Sequence, residues 1–202
     1  MGLKKQFVSA ILLGSTLTAP LFAQDIATPS SSIDTLAIFS FNDFHGAFAS
    51  DGITPGAARL VQMTQNEKQR YPHSIVVSGG DNFSGSYFSR ITRGNPLPEM
   101  FQEMDVRMSA VGNHEFDWGL PYLTDTAKVY MNFVAANIIT DRGDTLEWAK
   151  PYRIVTLNLK NGGTVRVAFV GLTTTDTAHK TSPENIKAVS YTHLTLPTTS
   201  RV

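Results

Sequence analysis

The stretch "AVGNHEFDWG", residues 110–119, joins the end of an apolar run to an amide, an imidazole and two carboxylates. The run itself, "RMSAV" (107–111), is typical of a short buried strand, and a glycine follows it directly. Asn113, His114 and Asp117 come next at positions i, i+1 and i+4, a grouping that packing alone does not require. The stretch therefore predicts a strand whose carboxyl end carries functional side chains.

Two earlier apolar runs end in the same way. "TLAIFSF" (35–41) stops at "NDFHG", which holds Asp43 and His45, and "SIVVS" (74–78) stops at "GGDNFSGS", which holds Asp81. Helical stretches separate the runs, and this alternation favours an α/β fold with a mainly parallel sheet. Because ligand sites in open α/β sheets form beyond the carboxyl ends of the strands, we expect the three polar clusters to converge.

Turn signals and periodicity predict the remaining elements. Thr54 can cap a helix that has Pro55 at its first position. Two strand-like runs within residues 152–172 flank "NGG" (161–163), which indicates a hairpin. The other predicted elements are helices near residues 97–104 and 120–130 and a strand over residues 132–138.

The side chains of the three clusters indicate which metals they could bind. Carboxylate, imidazole and amide ligands without any thiolate favour zinc, manganese, iron or magnesium. Two divalent ions that share a bridging carboxylate would bind a hydroxide nucleophile and hold a phosphate group. The pattern therefore predicts two-metal hydrolysis of a phosphoester.

Each signal has a simpler interpretation when it is taken alone. An isolated Asp-x-His more often caps a turn, and Asp81 after two glycines suits a turn as well. Because all three clusters occur in order, each at the end of a predicted strand, a shared metal site is favoured over three unrelated turns. Outside the clusters, His73 precedes a strand and is expected on the surface at the opposite edge, while His179 is expected in a solvated loop.

The amino-terminal sequence and the net charge indicate the cellular location of the protein and the partners it can have. Residues 1–23 have two lysines, an apolar stretch and small residues before a cut after Ala23, as in a secretory signal peptide, and residues 24–32 form a polar linker. The mature chain carries two more acidic than basic groups, which gives no footprint for nucleic acid. A lipid-anchoring cysteine and a second long apolar run are both absent from the sequence. We expect a periplasmic or secreted protein without a membrane anchor.

The last residues have an unusual composition. "VSYTHLTLPTT", which begins at Val189, can be back-translated into a transposase adapter of the kind used for sequencing libraries. A threonine-rich edge strand is the simpler alternative. Residues 189–202, which include His193, are therefore predicted to be a non-native, adapter-derived tail and are left out of the predicted fold.

Four segments resemble the amino-terminal domain of the bacterial 5'-nucleotidase and UDP-sugar hydrolase family, within the calcineurin-like metallophosphoesterases. They are "FNDFHGAF", "SGGDNFSGS", "AVGNHEFDWG" and "VAFVGLTTTDTAHKTSPENI". The resemblance implies a sheet-and-helix sandwich over residues 33–188, incomplete at its carboxyl-terminal side, and a role in nucleotide catabolism. It also implies a separate nucleoside-binding domain further along the natural protein.

The resemblance also implies a role for each site residue. Asp43 and His45 would hold the first metal, Asp81 would bridge the two metals, and Asn113 would hold the second metal and contact substrate. His114 would contact the phosphoryl group and stabilise charge in the transition state. Asp117 would orient the ring of His114.

The sequence departs from the family pattern in two respects. Phe41 stands where members often have threonine, which affects no ligand. Members also take metal ligands from a later histidine and a Gly-His-x-His segment, and neither pattern occurs among these 202 residues. We therefore expect the chain as written to be inactive, whereas its full-length parent would be an active 5'-nucleotidase.

Two alternatives stay open at this stage. One is a related exported hydrolase, such as a 2',3'-cyclic phosphodiesterase or a sulfur-ester hydrolase. The other is an inactive metal-binding fragment. The sequence predicts no oligomeric state.

Overall fold

The computed structural model describes residues 35–160 and 162–191. Its helices are α1 (Ala57–Arg70), α2 (Tyr87–Thr92), α3 (Leu97–Met104), α4 (Leu120–Asp125) and α5 (Thr177–Lys180). Its strands are β1 (Ala37–Phe41), β2 (Ser74–Ser78), β3 (Val106–Ala110), β4 (Phe133–Val134), β5 (Ile138–Thr140), β6 (Ala149–Lys150), β7 (Tyr152–Asn158), β8 (Thr164–Val170) and β9 (Val189–Tyr191). Single 3-10 turns lie at His114–Phe116, Ala127–Val129 and Pro183–Ile186.

The central sheet has five parallel strands in the order β1, β2, β3, β4 and β6. Spatial order therefore follows chain order, and β1, β2 and β3 are direct neighbours. Their carboxyl ends lie at the same edge of the sheet, where ligand sites form in folds of this type. The predicted α/β class with a parallel sheet is confirmed.

Side chains alternate between the two faces of the sheet, as the period of a strand requires. Val76 faces the helical side, in the core cluster that includes side chains of α3 and α4. Ile75 faces the other side together with Val155 of β7. The antiparallel β7 and β8 hairpin thus forms a second β layer, opposite the helices. The helix, sheet and hairpin layers agree with the predicted sandwich.

The first helix begins later than predicted. The Thr54 hydroxyl donates to the Asp51 carboxylate at 2.8 Å and so belongs to the preceding turn. Gly56 is the N-cap of α1, with φ 75°, a value that a glycine reaches at little cost. The Thr54 cap was therefore a wrong prediction, because both the N–H and the hydroxyl of Thr54 donate to Asp51 in the preceding turn and the helix begins only after Gly56.

Two other predicted elements are broken in the structure. The helix predicted near residues 120–130 stops at Asp125, where Thr124 donates a side-chain hydrogen bond to the Asp125 carboxylate, and a 3-10 turn follows. The strand predicted over residues 132–138 divides into β4 and β5. It divides because the backbone N–H groups of Ala135 and Ala136 donate to two different partners, Lys150 and Gly171, each at 2.8 Å.

The chain end contributes to the fold. Strand β9 pairs antiparallel with β5, and Val189 lies in the main core. The structure thus includes residues 189–191 in the fold, whereas the expectation that residues 189–202 are a non-native, adapter-derived tail stays a prediction. The predicted signal peptide, the linker and the rest of the tail, residues 192–202, lie outside the described residues. None of the helices in the part of the chain that the structure describes is long and apolar enough to cross a membrane.

Candidate functional site

Three loops meet at the carboxyl edge of the sheet. Loop 1 (residues 42–56) follows β1, loop 2 (residues 79–86) follows β2, and loop 3 (residues 111–119) follows β3. The backbone N–H of Asp43 donates to the Gly80 carbonyl at 3.1 Å, and that of His45 donates to the Asp81 carbonyl at 3.0 Å. The pairing of β1 with β2 thus continues into the loops, which sets the polar side chains of loops 1 and 2 side by side.

Asp43, His45 and Asp81 form the centre of the site. Each offers one ligand atom, and these atoms all lie within 4.8 Å of one another. His45 Nε2 lies 3.4 Å from the Asp43 carboxylate, and the Asn42 amide donates to the same carboxylate. Asp43 is exposed and the other two side chains are half-buried, so the group is open to solvent on one side.

The backbone at these three residues is unusual. Asp43, His45 and Asp81 have φ values of 53°, 48° and 55°, in the left-handed region that non-glycine residues rarely adopt. Such conformations persist only where surrounding structure enforces them, and they cluster at functional sites. Here the enforcing structure is the backbone pairing between loops 1 and 2.

His114 and Asp117 lie beside the central group as a hydrogen-bonded pair. His114 Nδ1 is 2.8 Å from the Asp117 carboxylate, and the ring of His114 packs edge-on against that of His45, with 4.6 Å between ring centroids. Thr181 donates to the Asp117 carboxylate at 3.4 Å, and the Asn185 amide donates to its carbonyl at 3.3 Å. Since Nδ1 is held by Asp117, any contact between His114 and a ligand would be made through Nε2.

Asn113 precedes His114 at the start of the 3-10 turn in loop 3. Its carbonyl accepts the N–H of Phe116 at 3.2 Å. The next N–H along the chain, that of His114, donates to Asp81 Oδ1 at 2.9 Å. This bond holds the start of loop 3 against loop 2, beside the central group.

Glu115 is the residue of this site that the sequence analysis did not single out. Its side chain is 0% exposed, and its carboxylate accepts N–H groups from both loop 2 and loop 3. Burial raises the pKa of the Glu115 carboxyl to about 6, although hydrogen bonds from the backbone of Asn82, Asp81 and Gly112 oppose the rise. A fully buried glutamate is rare unless it is partnered, and here the partners are backbone N–H groups, which leave no signal in the sequence around Glu115.

The other histidines of the described residues lie elsewhere. His73 directly precedes β2 and accepts the Ala37 N–H through its carbonyl at 3.0 Å, so it lies at the opposite edge of the sheet, as expected. It is half-buried rather than fully exposed. His179 is exposed, as expected, but lies in the short helix α5 rather than in a loop.

The central group suits a hard or borderline divalent cation. It offers two carboxylates and one imidazole, the ligand types that manganese, iron, zinc and magnesium accept in proteins. The absence of a side chain at Gly112 leaves room for the Asp81 carboxylate, because a Cβ at position 112 would clash with it. The site thus has both a suitable donor set and a backbone built closely around one of the donors.

No family model matches the sequence. The chain is 29% identical over 163 residues to a 5'-nucleotidase of Vibrio cholerae, an alignment that covers 77% of the chain and 28% of that protein. The chain spans between 12% and 28% of the length of the curated relatives that it matches.

Solved structures share the fold of this chain. The calcineurin-like phosphoesterase YfkN of Bacillus subtilis matches with a TM-score of 0.65 at 24% identity, over 76% of the chain and 53% of that structure. A 5'-nucleotidase precursor of Thermus thermophilus matches with a TM-score of 0.61 at 26% identity, over 77% of the chain and 31% of that structure. The chain is therefore a relative of the 5'-nucleotidases, and it has the amino-terminal fold of the calcineurin-like phosphoesterases.

Proposed function

We propose that this chain provides the metal-binding and phosphate-binding edge of a 5'-nucleotidase-type hydrolase of nucleotide phosphate esters. One observation carries the proposal: ligand atoms of Asp43, His45 and Asp81 lie within 4.8 Å of one another beside the His114 and Asp117 pair. The sequence relationship to proteins named 5'-nucleotidase supports the nucleotide as substrate class. A cyclic phosphodiester or a sulfur ester has no comparable support.

In this proposal the residues divide between two divalent metals. Asp43 and His45 would hold the first metal, Asp81 would be shared by both metals, and Asn113 would hold the second metal and contact substrate. When bound, divalent metals polarise a phosphoryl oxygen and lower the pKa of water so that hydroxide is available near pH 7. The left-handed backbone at Asp43, His45 and Asp81 supports this division, because it belongs to the paired segments of loops 1 and 2 that bring the three side chains together.

His114 acts on the phosphoryl group. Its Nε2 donates a hydrogen bond to a phosphoryl oxygen and stabilises the negative charge that grows there in the transition state. Asp117 holds the ring through Nδ1 and so leaves Nε2 as the atom that can reach the phosphoryl group. Thr181 and Asn185 in turn fix Asp117.

We further propose that the protein is exported. The amino-terminal sequence supports a signal peptide over residues 1–23, with the mature chain starting at Gln24 in the periplasm or outside the cell. Amino-terminal sequencing of the exported protein tests this, and recovery of Met1 from that pool would count against it.

Metal binding by the purified chain is the direct test of the site. We expect Mn²⁺ titration calorimetry to detect binding, and Asp43→Ala to weaken it by roughly tenfold or more, since a direct ligand is lost. Asp105→Ala is the matched control, because Asp105 also has a left-handed backbone, with φ 54°, but lies before β3 at the opposite edge. Unchanged affinity in Asp43→Ala, or an equal loss in both variants, would contradict the proposed site.

A further inference from the structure

The carboxylate of Glu115 is fully buried in the protein. Removing an ionised carboxylate from water is strongly unfavourable unless charge or hydrogen bonds compensate. Glu115 is compensated by four N–H groups: Oε2 accepts from Asp81 at 2.9 Å and from Gly112, and Oε1 accepts from the Asn82 backbone at 2.8 Å and from its amide at 3.0 Å. We call these four hydrogen bonds the loop clamp.

The loop clamp joins two loops that leave different strands. Asp81 and Asn82 belong to loop 2, whereas Gly112 belongs to loop 3. A second bond runs in the opposite direction, since the N–H of His114 donates to Asp81 Oδ1 at 2.9 Å. The Glu115 carboxylate thus holds the backbone of Asp81, and the N–H of His114 holds the Asp81 carboxylate.

The clamp rests on further buried polar groups. The Asn82 amide also donates to the Ser109 hydroxyl at 2.9 Å, and its oxygen accepts the Ser78 hydroxyl at 2.7 Å. Ser78 and Ser109 are the last or nearly last residues of β2 and β3, and both are buried. The clamp is therefore anchored to the two rigid strands beneath the site.

The clamp acts on Asp81 in particular. Asp81 has φ 55°, and Gly80 before it has φ 99°, so this segment has a backbone that must be enforced. The Glu115 carboxylate receives the Asp81 N–H directly and so fixes the direction in which the Asp81 side chain leaves the backbone. That side chain supplies the one member of the central group that comes from loop 2.

From this geometry we propose that Glu115 is a positioning residue: it orients Asp81 towards Asp43 and His45, and thereby sets both the affinity and the coordination geometry of the metal site. The inference rests on the proposed function, because it assumes that the central group binds metal. Glu115 itself touches neither metal nor substrate in this arrangement.

The test compares Glu115→Gln with the unaltered chain, using Co²⁺ as the probe. Glutamine keeps the shape of the side chain but replaces one oxygen by a donor. Either orientation of its amide leaves two N–H groups without an acceptor, because each oxygen of Glu115 receives two. We expect faster amide hydrogen exchange at Asp81, Asn82 and Gly112 and roughly 10 to 100-fold weaker Co²⁺ binding. We also expect a changed visible spectrum at saturating Co²⁺, since the spectrum reports coordination geometry.

Two controls separate positioning from general stability. Glu147→Gln makes the same chemical change at an exposed glutamate and should leave exchange, affinity and spectrum unchanged. Val155→Ala destabilises the core on the opposite face of the sheet and should keep the Co²⁺ spectrum of the unaltered chain. If Glu115→Gln does not fold, Glu115→Asp takes its place, because it keeps the charge but withdraws the carboxylate by one methylene.

The outcomes distinguish the inference from the proposed function. A folded Glu115 variant with faster loop exchange but unchanged Co²⁺ affinity and spectrum would overturn the positioning role. The positioning role would also be overturned if Val155→Ala altered the Co²⁺ spectrum as strongly as Glu115→Gln does. If the unaltered chain binds no Co²⁺, the proposed function fails and the positioning role falls with it, while the exchange data still show whether the clamp holds the two loops.

Discussion

At the scale of single residues, the site separates side chains that would hold metal from side chains that would act on phosphate. Asp81 contributes an oxygen to the central group, whereas Asp117 contacts the ring of His114. Substitutions at the two aspartates should therefore have different effects, although both remove one carboxylate.

We expect Asp81→Ala to lose most bound metal, because it removes the proposed bridging ligand. Asp117→Asn should keep its metal and slow turnover by roughly 10 to 100-fold, as for other residues that orient a functional side chain. Metal content by mass spectrometry, and phosphate release by a longer protein that carries this chain, check these outcomes. Equal metal loss in both variants would show that the two roles are assigned wrongly.

Gly112 gives a second prediction at this scale. A Cβ there would meet the Asp81 carboxylate and backbone, so Gly112→Ala should displace Asp81 and weaken Mn²⁺ binding by roughly tenfold or more. Gly143→Ala is the control, because its Cβ meets nothing within 4 Å although its φ of 86° makes alanine strained. Calorimetric titration should find Mn²⁺ affinity reduced only in the first variant; a matching loss in the second would implicate strain in general.

Residue types and spacing were enough to place Asp43, His45, Asp81 and His114 at one edge, since each follows an apolar run. Glu115 was not predicted as a site residue, because polar residues are expected to be exposed when only the sequence pattern is considered. Its role depends on N–H groups of loop 2, more than 30 positions away along the chain. Backbone donors carry no side-chain signature, so a residue that binds them cannot be recognised from its own sequence context.

At the scale of elements, the hairpin of β7 and β8 has two different faces. Val155 is 7% exposed and packs against the central sheet, whereas its neighbour Ile154 is 45% exposed on the outer face. We expect Val155→Ala to lower the free energy of unfolding by about 2 kcal/mol, from lost burial and a residual cavity. Ile154→Ala should change it by less than about 0.5 kcal/mol.

Urea unfolding of the two hairpin variants measures this difference. Similar losses would mean that the outer face of the hairpin is also covered in solution. A negligible loss for Val155→Ala would mean that the hairpin does not pack on the sheet as described.

Long elements were easier to predict than short ones. Strand β2, helix α3 and the hairpin match their predictions closely, because each has a full period of apolar residues or a strong turn signal. The two-residue strands β4 and β6 cannot show a period, and only their parallel pairing defines them. Helix α2 was missed because its six residues are too few to show a helical period, and the apolar side chains it has, Tyr87, Phe88 and Ile91, are exposed in the structure.

At the scale of the whole molecule, the number of proposed metal ligands limits what the chain can do. Four proposed ligands, Asp43, His45, Asp81 and Asn113, are too few for two metals that usually take four or more ligands each. Water would fill the remaining positions, which weakens binding and leaves the nucleophile poorly placed.

We therefore expect the 202-residue chain, supplied with zinc, manganese or magnesium, to release no phosphate from AMP or from an aryl phosphate above background. A longer protein in which this chain is followed by further histidine ligands should release phosphate from both substrates. Turnover by the 202-residue chain comparable to that of the longer protein would show that those histidines are not required.

The left-handed backbone at Asp43, His45 and Asp81 has a consequence for the evolution of this protein. A residue other than glycine costs up to about 1 kcal/mol in that conformation, although aspartate and histidine tolerate it better than most side chains, so retention of the proposed metal ligands would oppose stability at these positions. A mutant library screened only for heat resistance should therefore accumulate glycine or asparagine at positions 43, 45 and 81. Deep sequencing of the survivors would reveal this drift, and the same library screened for metal binding should retain the original residues.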